Sequence, residues 1–120
     1  RLLNLTTAAV QADRLGAAQA LAEALACTVI LKGSGSVIAA PGRLPCINSS
    51  GNAALATAGT GDVLAGWLGG LWAQRPDIDP HALACAGAFW HGAAAETQQA
   101  GPLRAADLVE HMHALHRIHN

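Results

Sequence analysis

The chain has 120 residues, of which 52% are hydrophobic and only 12% charged, with a formal net charge of −1. A near-neutral balance without a run of like charge argues against nucleic acid or an anionic membrane surface as partner. No apolar run approaches the roughly 20 residues of a membrane span.

So little charge on so short a chain leads us to expect surfaces covered by further chain or by partner subunits, as in a homo-oligomer. With Arg1 rather than Met at its start, residues 1–120 are read as the C-terminal portion of a longer domain. Cys27, Cys46 and Cys85 are odd in number and lack a C-x-x-C spacing, which predicts reduced, mostly buried thiols in a cytoplasmic protein.

In chain order, residues 7–26 are rich in Ala, Leu, Gln and Glu, with Val10, Leu15, Ala18, Leu21 and Leu25 near helical spacing. Thr6 or Thr7 would cap that helix. Thr28 to Lys32 is a short, nearly all-apolar run, which predicts a strand buried on both faces. Residues 36–40 and 44–47 flank Pro41-Gly42-Arg43 as a hairpin, and Pro45 places its second strand at a sheet edge. A loop of small residues fills 48–60. From Asp62 to Gln74 the pattern is helical and apolar nearly all round, predicting a buried helix. Gly66, Gly69 and Gly70 within it predict close packing against a neighbour. Helices are further predicted over roughly 81–99 and 104–118, the latter carrying Leu108, Met112 and Leu115. Trp67, Trp72 and Trp90 are read as core. The class is α/β.

Two segments carry chemistry. Gly59-Thr60-Gly61-Asp62 sits where a helix begins, and helix-start N–H groups with the positive dipole end form an anion site. Glycine lets a phosphate approach the backbone closely. A carboxylate repels phosphate, so Asp62 serves either chemistry or as a helix cap. The second segment, Lys32-Gly33-Ser34-Gly35-Ser36, follows a predicted strand at its C-terminal end, where ligands bind in open α/β sheets. It is not a Walker A loop, because the lysine precedes the glycines. A solvent-exposed lysine beside a glycine turn is the plain alternative.

Together, Val29-Ile-Leu-Lys-Gly33, the run from Asn48 through Gly51-Asn52, Leu55-Ala-Thr57 and Gly59-Thr-Gly-Asp62-Val-Leu-Ala-Gly66, and Trp90-His-Gly92 resemble the ADP/ATP-dependent NAD(P)H-hydrate dehydratases of the ribokinase-like superfamily. The resemblance runs over roughly residues 12 to 115. It implies the C-terminal part of a ribokinase-like three-layer fold, a short sheet segment packed by helices. It also implies a metabolite-repair lyase that uses ADP or ATP, with Mg2+ accompanying the nucleotide, to restore NADH or NADPH from its hydrate, NADHX or NADPHX. The implied reaction phosphorylates the C6 hydroxyl and then eliminates phosphate. Lys32, Gly33, Ser34, Gly35 and Ser36, with Gly59, Thr60 and Gly61, would contact nucleotide phosphates. Asp62 would be the base and, with Asn52, would meet the substrate. No protein-bound metal is implied.

Departures from the family pattern are Ser49 and Ala53 in place of two prolines, Ser36 where threonine is common, and Glu96 where the family tends to have Asp. His91 lies within an apolar helix and is read as structural more readily than catalytic. His111, His113, His116 and His119 read as a polar helix face near a chain end, metal binding being the minor alternative. Two other functions compete with the lyase: a ribokinase-like kinase of a small alcohol, and a non-catalytic fragment or assembly module.

Overall fold

A computed structural model describes residues 1–119, which divide into two compact units, one over Arg1–Asn48 and one from Ser49 onward. Each is taken by itself.

In the first unit the expected single helix is two, α1 (Thr7–Ala12) and α2 (Arg14–Leu25). Asp13 breaks them apart: its backbone leaves the helical region, and its carboxylate accepts the Gly16 N–H as the cap of α2. Thr6 caps α1 by accepting from the Ala9 N–H. Then come β1 (Val29–Leu31), β2 (Val37–Ala39) and β3 (Cys46–Ile47), an antiparallel sheet in the order β1-β2-β3. The hairpin over Pro41–Arg43 is present, and the strand after Pro45 lies at an edge, where a missing N–H costs nothing.

Burial on both faces belongs to β2, the central strand, and not to β1, whose three residues are only half-buried. The helix face that meets the sheet is Ala18 and Ala22 against Val37 and Ala39, with Val29 and Leu31 beside them. Alanines set α2 close to the sheet. Leu15 and Leu25, which the spacing places inward, are exposed instead. Polar contacts finish the docking: Gln19 donates to the Ala40 carbonyl, and Glu23 accepts from Gln19 and from the Gly42 N–H.

The second unit holds a 3-10 turn (Ala53–Ala56) inside the expected loop, then α3 (Thr60–Gln74), α4 (Pro80–Glu96) and α5 (Ala105–His119). Ala94, Ala95, Leu103, Leu108 and Met112 form its core, with Leu55, Val63, Trp67 and Leu115 packed around them. Burying each large aliphatic side chain contributes about 1.5–3 kcal/mol. Asp79 and Pro80 start α4 in the usual cap and first-position pairing. Asp107 accepts the Arg104 N–H at the start of α5, and its carboxylate pairs with the Arg104 guanidinium.

Three expectations fail here. Helix α3 is not buried: only Thr60 and Leu64 are fully covered, and Trp72 is 52% exposed. Gly66, Gly69 and Gly70 face open space, not a tight neighbour. The close helix crossing is made elsewhere, by Gly87 of α4, where an added Cβ would strike Leu68. The thiols are also more open than expected, Cys27 and Cys46 being exposed and Cys85 half-buried. Among the described residues no helix is long and apolar enough to cross a membrane.

Candidate active site

The Lys32–Ser36 loop lies in the first unit, just after β1. Its shape is set by a residue the sequence reading passed over. The Arg14 guanidinium, in the first turn of α2, donates to the carbonyls of Leu31 (3.2 Å), Ser34 (2.8 Å) and Gly35 (3.1 Å). Gly33 lies so close to this guanidinium that a Cβ there would sit 2.6 Å from Nη2. Gly35 has φ +70°, a left-handed conformation that favours glycine. The Ser36 hydroxyl closes the loop on itself, accepting from the Gly33 N–H and donating to the Gly33 carbonyl. Lys32 is exposed, and partial desolvation lowers its pKa from the usual lysine value. Arg14 carried a signal: a cation in the first turn of a helix opposes the dipole, so something else must hold it there.

Asn52 and Gly59 to Asp62 lie in the second unit. Gly59, at φ +89°, bends the chain into α3, and α3 starts with no side-chain cap, so the first-turn N–H groups of Gly61 and Asp62 point outward from the helix end. Asp62 is exposed in that first turn. It rims a groove of about 430 Å³ along α3 and α5, lined by Gly66, Trp67, Val109 and His116. The Asn52 side chain accepts from the Ala54 N–H and so caps the 3-10 turn.

Helix α4 holds this segment from behind. Thr60 is buried, and its hydroxyl lies 2.6 Å from the Leu55 carbonyl. His91, 2% exposed, places Nε2 2.8 Å from the Thr60 carbonyl. A carbonyl only accepts, so Nε2 carries the proton. Along the same helix, the Ser50 hydroxyl donates to the Phe89 carbonyl and Glu96 accepts the Gly51 N–H at 2.6 Å. Gly92 leaves the room this needs, since a Cβ there would lie within 2.7 Å of the Ser50 backbone. Glu96, a departure from the family pattern, thus anchors the loop leading to Asn52.

His111 and His116 pack within the second unit. His111 Nδ1 lies 3.2 Å from the Ala94 carbonyl, and the His116 ring stands edge-on to both Trp67 and Trp90. His113 is exposed, and the side chain of His119 lies outside the described residues.

Comparison with known proteins now decides the family. The Carb_kinase family model, NAD(P)H-hydrate dehydratase, matches residues 1–116. The chain belongs to this dehydratase family. It is 49% identical over 96 residues to the ADP-dependent (S)-NAD(P)H-hydrate dehydratase of Neisseria meningitidis, covering 80% of this chain and 32% of that one. It is 42% identical over 96 residues to the bifunctional NAD(P)H-hydrate repair enzyme Nnr of Escherichia coli, covering 80% of this chain and 18% of the relative. The Bacillus subtilis ADP/ATP-dependent NAD(P)H-hydrate dehydratase, co-crystallised with ATP and Mg2+, is similar with a TM-score of 0.81 and 31% identity. That match covers 92% of this chain and 41% of that one. The chain therefore spans a third or less of these two curated relatives and under half of the solved structure. Its helices and short three-stranded sheet are a partial α/β fold of the carbohydrate-kinase type.

Proposed function

We propose that residues 1–120 form the C-terminal portion of a ribokinase-like catalytic domain that dehydrates NADHX or NADPHX to NADH or NADPH at the expense of ADP or ATP. The observation that carries this is the exposed Asp62 in the uncapped first turn of α3, within a chain 49% identical to a dehydratase of that activity. The Gly61 and Asp62 N–H groups suit an oxyanion of the transferring phosphoryl group. The Lys32–Ser36 loop offers an ammonium and backbone amides of its own that suit a nucleotide phosphate. Mg2+ would travel with the phosphates, since it binds through few protein carboxylates and keeps water and phosphate oxygens as ligands.

A ring hydroxyl attacks phosphorus poorly while it holds its proton. Asp62 accepts that proton as the C6 oxygen bonds to the terminal phosphoryl group and the nucleotide departs one phosphate shorter. Phosphate then leaves C6 with the C–O electrons, and a proton leaves the adjacent ring carbon to restore the double bond. Exposure suits this role, since Asp62 must reach both solvent-borne substrate and phosphate.

The test is recovery of absorbance near 340 nm from NADHX by the complete gene product. Recovery should require ADP or ATP, and Asp62→Asn should slow it by at least about 100-fold, the usual worth of a positioned base. An Asp62→Asn enzyme with full activity overturns the assignment. Consumption of nucleotide without any 340 nm signal would show a kinase of another alcohol.

A further inference from the structure

We propose that Arg14 is a positioning residue for nucleotide phosphate: it builds the anion-binding face of the Lys32–Ser36 loop without touching the ligand. The inference rests on the function proposed above. In a trans peptide the C=O and N–H point in opposite directions. Arg14 draws in the carbonyls of Ser34 and Gly35, at 2.8 and 3.1 Å. Those two peptide units must therefore aim the N–H groups of Gly35 and Ser36 the other way, out of the loop. Successive outward amides make a concave anion site, a backbone nest.

The third contact, to the Leu31 carbonyl, ties the same guanidinium to the last residue of β1. The nest is thereby fixed to the sheet and not left to a free glycine loop. Hydrogen bonds from a cation also polarise the peptides that accept them, which strengthens their N–H groups as donors. Gly33 keeps the space in which the guanidinium lies. Three contacts from one planar fork are a geometry that the single point of a lysine ammonium does not reproduce.

The experiment compares Arg14→Lys and Arg14→Met with the parent in the complete gene product. Direct ADP binding, KM for NADHX and the thermal midpoint are measured for each. ADP affinity should fall about tenfold or more in both variants, as loss of charge-assisted hydrogen bonds predicts, while the KM for NADHX stays within about twofold. Backbone amide proton shifts of Gly35 and Ser36 should move in both variants before any ligand is added. An Arg14→Lys enzyme that binds ADP like the parent overturns the proposal, because charge alone would then suffice. So does a lowered midpoint with unchanged ADP affinity, which marks a purely structural arginine. A parent that binds ADP yet regenerates no NADH refutes the dehydratase reading and leaves the Arg14 comparison intact.

Discussion

At the scale of single residues, His91 reaches the candidate site through one peptide. The carbonyl it bonds belongs to the peptide unit whose other end is the Gly61 N–H, one of the two outward amides of α3. Replacing His91 by Leu would remove a buried donor and should cost about 1–3 kcal/mol of stability, read from the urea midpoint. His91→Gln, whose amide nitrogen can occupy much the same place as Nε2, should recover part of that loss; equal losses in the two variants would show that ring packing, not the hydrogen bond, matters. Asp62 and the two glycine segments are legible in the sequence because short backbone-rich signatures declare themselves locally. Arg14 is not, since its three acceptors lie 17 to 21 residues away and only the folded hairpin brings them to it. Glu96 is visible as a departure, yet its partner is the backbone N–H of Gly51, which no side-chain pattern announces.

At the scale of elements, α4 carries the arrangement, and its glycine at 92 is the sensitive point. Gly92→Ala would push a methyl into the Ser50 backbone, where nothing flexible can yield. We expect a loss of about 1–3 kcal/mol, as for other overpacked contacts, together with a raised KM for NADHX as the loop leading to Asn52 shifts. A variant with parental stability and KM would mean that the loop relaxes freely. Helix α5 offers a pH test. The Arg104 side-chain hydrogen bond, backed by the Arg104 N–H, lowers the Asp107 pKa to about 2. The folded value lies below the unfolded one, so the contribution is complete above about pH 4 and fades as pH falls through the folded value. Asp107→Asn should therefore melt below the parent at neutral pH and match it near pH 2; a gap that persists unchanged in acid would locate the effect elsewhere.

At the scale of the whole chain, the apolar pattern of α3 promises burial that the chain does not deliver. Hydrophobicity reports that a face wants cover but not which residues supply it. Trp72, Leu44 (89% exposed), Ile118 (74%), Leu2 (74%) and Phe89 (54%) all stand in solvent, and the related structures carry more than twice as much chain. Scattered exposed leucines are ordinary, but this many large side chains on 120 residues exceed what a solitary chain hides well. The isolated chain should therefore bind a hydrophobic dye such as ANS and associate at micromolar concentration in sedimentation, with Trp72→Lys weakening the association. A chain of the full length of the related structures should bind far less dye. A monomeric, dye-silent 120-residue chain would show that these side chains find cover among themselves in solution, and that the apolar pattern of α3 carries no information about a neighbour.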